Sequence, residues 1–435
     1  MPLFNSDNEM GLHSSSNECA VSESKGTMNI ALISQALPYL PSRGGFRLYG
    51  ANLARCLSKR HRIDLVSLLQ DDDDQHLEWP KKYFASIQTI PTANKSFVQR
   101  TRSFVSRSVR GIPLNHRAEL RAILREGIAN RDWDVLHIEG GFMGGIIDQE
   151  LPIAKVLSLH DAEALRAREM LNCRLSFRER MYYTMTKYLE PRYDRQVYPR
   201  FERCTVVADR DLKFVRKLVP NADFQLIPYG TDTEYFHPFP IQKQKNVLVF
   251  HSHLGYPPNI EAALEFANEI LPIIQREAPD AVFHLVGANP AAEIQALTSR
   301  TGIKILANLP DLREAVCSGA IYVCAIRYGT GLKSKVLEAM AMQMPIVAYH
   351  PGSTVGIDCV DGEHLLAATT PQEFAAHVLD LLRNPNKAEE IAKSARKLVC
   401  EKYSWESRAL VYEELYQKVK EERRRQASNS GDHRK

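Results

Sequence analysis

The feature that most constrains the fold is the continuous segment from Ala320 to Ala348. It opens on an unbroken apolar run, Ala320-Ile321-Tyr322-Val323-Cys324-Ala325-Ile326, which reads as a strand buried on both faces. A glycine loop follows, and then Val336, Leu337, Met340, Ala341 and Met344 recur at the spacing of one apolar helix face. Pro345 stops that helix, and Ile346-Val347-Ala348 begins a second buried strand. Strand, loop, helix, strand is a βαβ unit, so a parallel sheet with helices on its faces is expected.

Within that unit the polar residues acquire positions. Gly329 and Gly331 flank the strand-to-helix turn, where a missing side chain lets backbone amides approach a ligand. The helix N-terminus, Lys333 and Lys335 in its first turn, and Arg327 at the strand end together make a site for a multiply charged anion, with a diphosphate the obvious candidate. Glu338 follows one turn later, off the apolar face, where a carboxylate could accept hydrogen bonds from two sugar hydroxyls. The same residues also describe a solvated Lys/Glu helix face; their place at the carboxyl end of a strand favours the ligand.

The alternation recurs along the chain. Met28 to Ile33 reads as a strand, followed by a loop with Gly44 and Gly45, a helix with Leu48, Ala51, Leu53, Ala54 and Leu57 inside, and strand Ile63 to Leu68. Gly44-Gly45 is either a plain turn or a close backbone approach to a substrate, and no G-x-G-x-x-G pattern supports a dinucleotide there. Further strands are read at 134–138, 156–159, 204–207 and 224–227. At the end of 156–159 stand His160, Asp161 and Glu163, at a position where open α/β sheets bind ligands. Asp161 also suits the N-cap of the helix Ala162 to Met170, whereas capping does not account for His160. Phe236 to Lys245 combines prolines with a polar run and is the best linker. After it the pattern restarts with strands at 247–250, 281–286 and 303–306. His251 and His253 raise a metal, but no carboxylate or cysteine completes a site nearby in sequence, so both read as loop histidines.

At 435 residues the chain is long enough for two or three domains. A net charge of only +4 argues against a dedicated nucleic-acid binder. The eight cysteines are scattered without a Cys-x-x-Cys pair, and Cys317, Cys324 and Cys359 read as free thiols in a reducing compartment. No apolar run is long enough to span a bilayer. Seven arginines between Arg100 and Arg125, interleaved with Phe97, Phe104, Val105, Ile112, Leu120 and Leu124, suit either an anionic membrane surface or the outer face of a helical insertion.

From Val247 to Trp405 the motifs accumulate: Pro257-Pro258-Asn259, Val286 to Pro290, Leu309 to Leu312, Lys335 to Ala341, Asp361 to His364 and Tyr403-Ser404-Trp405. Together they resemble the retaining, nucleotide-sugar-dependent GT-B glycosyltransferases of family 4, in the branch that builds cell-surface polysaccharides. The resemblance implies an α/β protein of two doubly wound, Rossmann-like domains facing a cleft. It implies a disordered leader over 1–27, an acceptor domain with basic helical insertions over 28–240 and a nucleotide-sugar domain over 241–402. A helix over 403–420 crosses back to the first domain, and 421–435 is a loose tail.

It further implies that Glu338 holds the ribose and that Arg327, Lys333 and Lys335 face the diphosphate. His160 contacts the donor sugar, and Gly44-Gly45 border the reacting centre. His160, Arg327 and Lys333 are the expected catalytic groups, and Gly329, Gly331, Lys333, Lys335 and Glu338 the nucleotide and diphosphate ligands. The expected partners are a nucleotide-diphosphate sugar and a glycan or lipid-linked acceptor, with no metal or cofactor and no nucleic acid. The expected location is the cytoplasm, with peripheral contact to anionic lipid at the inner face of the membrane. The chain departs from the pattern at Thr330, where such enzymes carry a first glutamate, and at Ser252, where they carry glycine; His253 to Pro257 lacks the usual Arg and Lys. Those departures keep a non-catalytic glycan- or partner-binding protein in view, beside a nucleotide-sugar epimerase or a sugar phosphorylase on the same fold.

Overall fold

The computed structural model describes residues 26–40, 42, 45–70, 73–91, 114–147, 151–173, 175–327 and 332–432. The expected leader (but for residues 26 and 27), Gly44, Gly329, Gly331, Thr330 and the stretch 92–113 lie outside these residues, as do residues 433–435.

The first sheet has seven parallel strands: β1 Asn29–Ser34, β2 Arg62–Leu69, β3 Ser86–Pro91, β4 Val135–Glu139, β5 Ala154–Leu159, β6 Arg203–Val206 and β7 Phe224–Leu226. Their order is β3-β2-β1-β4-β5-β6-β7. The second sheet has six: β8 Val247–His253, β9 Val282–Ala288, β10 Ile303–Ala307, β11 Ile321–Cys324, β12 Ile346–Tyr349 and β13 Leu366–Ala368, in the order β10-β9-β8-β11-β12-β13. All pairings are parallel, as in β1 against β4 (Ile30 opposite Val135) and β8 against β11 (Leu248 opposite Ile321). The strand order therefore reverses between β1 and β4 in one sheet and between β8 and β11 in the other. Ligand crevices open at the carboxyl ends of strands at such points. Residues 227–246 join the two sheets without a further strand or helix.

The inner strands are buried along most of their length and helices cover them, whereas the edge strands β3 and β10 stay partly exposed. In the first domain α1 (Gly45–Leu57) places Tyr49, Leu53, Ala54 and Leu57 on one face of the sheet, while α2 (Leu114–Asn130) seats Leu120 and Leu124 on the other. The apolar side of the arginine-rich stretch is thus spent, in its described part, on this core. α3 (Glu163–Met170) has Ala162 at its N-cap, so Asp161 does not occupy the expected N-cap position. α4 (Phe177–Val197) is closed by a capping box of Ser176 and Glu179, and α5 (Asp209–Leu218) precedes β7. In the second domain, Pro257–Glu265 (α6) passes through a wide turn at Phe266–Ile270 into Leu271–Glu277 (α7).

Gly287, at the end of β9, shows why a glycine stands there. A Cβ on it would lie 1.8 Å from the Ser252 carbonyl oxygen, so any side chain would push β8 away from β9.

The last helix, α13 (Trp405–Asp432), belongs to the first domain's core. Trp405, Ala409, Tyr412, Tyr416 and Val419 recur every three to four residues and pack with Tyr49 and Leu53 of α1. It runs on well past Lys420, where the sequence reading ends it, because Glu422 accepts from Arg203 and Arg423 donates to the Leu151 carbonyl. Two crossovers lie side by side: the Thr231 amide donates to the Tyr403 carbonyl at 2.6 Å. Gly230 fits against the Trp405 indole, where a Cβ would approach to 2.6 Å.

Candidate active site

α10 (Ser334–Ala341) starts directly beyond the β11 loop, and Lys333 occupies its N-cap with no side-chain hydrogen bond to the first amides. The first amides of a helix are in general a place where negative charge is stabilised. Lys333 is buried, at 7% exposure, and Lys335 is half-buried. Burial, reinforced by the neighbouring Lys335, pulls the Lys333 ammonium down to about 8, with Asp161 and Glu169 of the first domain opposing. Burial likewise lowers Lys335. Two lysines thus stand at one helix terminus, with the carboxyl groups of Asp161 and Glu169 in the field of Lys333.

One turn later Glu338 is half-buried, and its Oε2 accepts a 2.8 Å hydrogen bond from Nε2 of His251. Oε1 has no hydrogen-bond partner among the described residues. His251 and His253 both lie within strand β8 and not in a loop, and His251 is buried. Strand geometry turns His251 toward α10 and so orients the Glu338 carboxylate. Among the described residues no group of three or more His, Cys, Asp or Glu is arranged to hold a metal ion.

Arg327 lies at the carboxyl end of β11 as read, but its guanidinium has partners of its own. It pairs with Glu265 at 2.7 Å, donates to the Thr369 carbonyl at 3.1 Å and stacks 3.8 Å from the Tyr349 ring centroid. That set belongs to the α6 side of the sheet, together with Glu261 and Glu269, which line a 250 Å³ cavity with it. The lysines are on the α10 side.

Across the cleft, His160 follows β5. Its ring meets Phe46 edge-on at 4.2 Å and Tyr49 at 4.8 Å, and it stacks on Tyr229 at 5.6 Å. Burial and the nearby His137 hold it neutral, with its pKa lowered to about 3. Gly45, which opens α1, has no atom of another described element within 4 Å of where a Cβ would lie, and the next residue, Phe46, is the one against His160. Asp161, half-buried, is pushed up to about 7 by burial, against the pull of Arg166 and with Lys333 in its field. Beneath lies a carboxyl that sequence reasoning did not single out. Glu139 at the end of β4 is fully buried, accepts from Ser34 Oγ at 2.8 Å across the β1–β4 switch point, and is raised to about 8 by burial. The structure therefore places Lys333, Lys335 and Glu338 at the start of α10 and His160, Asp161 and Gly45 in the first domain, and it pairs Arg327 with Glu265.

The model of the glycosyl transferases group 1 domain matches residues 245–384, which span β8 to the end of α11 (Pro371–Arg383). The chain is a glycosyltransferase. Across 392 residues, 86% of this chain and 96% of the relative, it is 24% identical to an uncharacterized 44.6 kDa protein in the cps region of Klebsiella pneumoniae. Sucrose-phosphate synthase from Thermosynechococcus elongatus superposes with a TM-score of 0.66 at 16% identity, over 90% of this glycosyltransferase and 99% of that chain. Anabaena HepE, solved with UDP and glucose, gives 0.59 at 13% identity, over 90% and 100%. At these identities the likeness is one of fold: two Rossmann-like domains in the GT-B arrangement.

Proposed function

We propose that this glycosyltransferase moves a sugar from a nucleotide-diphosphate sugar to a glycan or lipid-linked acceptor, with retention at the anomeric carbon, in cell-surface polysaccharide synthesis. The observation that carries the donor assignment is the pair of lysines, one buried and one half-buried, at the start of α10, one turn before a carboxylate that His251 orients. A diphosphate meets Lys333, Lys335 and the helix amides, and the ribose hydroxyls meet the free oxygen of Glu338. HepE, a protein of the same fold, has been solved with UDP and with UDP-glucose, and the cps-region relative agrees with a polysaccharide role. The loop with Gly329 and Gly331 would add backbone amides to the diphosphate. Gly44 and Gly45 would border the reacting centre, and His160 would face the donor sugar. Arg327, paired with Glu265, acts at longer range.

As the bond to the anomeric carbon breaks, negative charge grows on the leaving diphosphate. Cations and amides already in place stabilise that charge without reorganising. A leaving phosphate oxygen accepts the acceptor's proton on the same face, so the reaction needs no protein nucleophile, and we assign it no metal or cofactor. No helix among the described residues is long and apolar enough to cross a membrane. We place the protein in the cytoplasm with peripheral contact to anionic lipid. Phe177, Met181 and Tyr188, exposed along α4 among its arginines, are part of that surface.

The test supplies UDP-, GDP- and ADP-sugars with glycan and lipid-linked acceptors, and reads nucleotide release together with the anomeric proton coupling of the product. A new glycoside with the donor's configuration is expected. An inverted glycoside, a free epimerised sugar or phosphate-dependent cleavage would overturn the proposal. Tight nucleotide binding without turnover would move the chain to the non-catalytic reading that Thr330 and Ser252 keep open.

A further inference from the structure

The two ring nitrogens of His160 have unequal surroundings. Nδ1 is hydrogen-bonded to the Tyr229 hydroxyl, whereas Nε2 is buried and has no partner among the described residues. Tyr229 reaches this place from the segment that leaves the first domain, just after β7, and its ring stacks on the imidazole at an interplanar angle of 25°. The neutral pair has two protons to place. If the phenol donates to Nδ1, the imidazole proton lies on Nε2, and that N–H is the single unsatisfied group. If Nδ1–H donates to the phenol oxygen, the phenol proton has no other acceptor among the described residues, and Nε2 is a second unsatisfied group. An unmade buried hydrogen bond costs about 1–3 kcal/mol, so the first arrangement is favoured. Burial and the nearby carboxylates of Asp161 and Glu139 raise the Tyr229 hydroxyl well above its ordinary value, so it keeps the proton it must give.

We propose that Tyr229 is a positioning residue for His160, fixing the neutral ring in the tautomer that carries its proton on Nε2. His160 is then a hydrogen-bond donor, and its ligand is an oxygen acceptor: a hydroxyl of the donor sugar. This deepens the donor-sugar reading and rests on it. A histidine whose tautomer is set by the bond at its other nitrogen is oriented before substrate arrives.

Nitrogen-15 NMR of the full-length protein with labelled histidine tests this, with His160→Gln assigning the resonance. The expected wild-type spectrum shows His160 neutral with the proton on Nε2. In Tyr229→Phe, which keeps the stacked ring and removes only the hydroxyl, the two tautomers should mix. Turnover of that variant should fall roughly 3- to 10-fold, the equivalent of one neutral hydrogen bond. On a His160→Ala background the same substitution should cost nothing further. A wild-type proton on Nδ1, an unchanged tautomer in Tyr229→Phe, or additive losses in the double variant would each overturn the proposal. The wild-type tautomer is decisive even if the variant fails to fold. Adding the nucleotide sugar that binds separates the two readings. An Nε2–H resonance that does not respond to bound donor supports the role of Tyr229 and removes His160 from the donor site.

Discussion

Replacing Lys333 by methionine should make the protein more stable and the enzyme worse. The ammonium is buried at 7% exposure and its pKa falls from 10.5 to about 8, through desolvation first and Lys335 second. At about 1.4 kcal/mol per tenfold, that gap corresponds to roughly 3 kcal/mol of native-state penalty. Below pH 8 the native protein holds the buried cation and bears the whole penalty, so Lys333→Met should gain about 3 kcal/mol in urea denaturation at pH 7. Between about 8 and 10.5 the native lysine releases its proton while the unfolded one keeps it. The wild type then gains stability as pH rises, and its deficit against the variant closes. Nucleotide affinity should move the other way. One charge-assisted contact to phosphate is worth about 1.5–3 kcal/mol, so the dissociation constant for the bound nucleotide should rise roughly 10- to 150-fold by calorimetry. A variant that is less stable at pH 7 and binds nucleotide like the parent would refute the reasoning. Lys333 would then be a structural cation held by Asp161.

Glu338→Ala should weaken nucleotide binding by roughly 1.5–3 kcal/mol for each charge-assisted bond to ribose, against about 0.5 kcal/mol or less for a solvated helix residue. Competition titration with the nucleotide and its 2′-deoxy form checks this, and the mutant should lose discrimination between them. His251→Phe removes the 2.8 Å bond that orients the carboxylate and should give part of the same loss, about 1 kcal/mol. Glu139 has its pKa raised from 4.5 to about 8, so the native state binds a proton that the unfolded state has lost across that range, and stability falls as pH rises through it. Glu139→Gln should match the wild type near pH 4 and exceed it by roughly 3 kcal/mol at pH 7 in urea denaturation, by the same conversion.

What was legible in the sequence was what lies close together in it. Buried strands read as apolar runs, α10 reads as one face from Val336 to Ala341, and the linker near residue 240 announces itself by prolines. Lys333, Lys335 and Glu338 fall within one motif, so their neighbourhood was visible before their environment was. Partnerships over long separations were not. His251 meets Glu338 across 87 residues and Tyr229 meets His160 across 69, and no local pattern marks either pair. Arg327 was legible as a cation but not as the partner of Glu265, because which side of the sheet a strand-end side chain takes depends on the helix packed there. Asp161 has the chemistry of an N-cap, yet burial beside Arg166 and Lys333 places it in the cleft. Glu139 gave one signal that could have found it: a lone carboxylate ending an apolar strand, next to the glycine loop at 140–145.

The most direct test of the central claim is a thermal-shift panel of UDP, GDP, ADP and their sugars on the wild type and on Glu338→Ala. A nucleotide present at 100 times its dissociation constant stabilises the protein by about 2.7 kcal/mol. One base should shift the wild type by an amount of that size, and Glu338→Ala should lose most of the shift at the same concentration. A wild type that no nucleotide or nucleotide sugar stabilises, or a Glu338→Ala protein stabilised as much as the parent, would contradict the assignment of α10 as the nucleotide anchor.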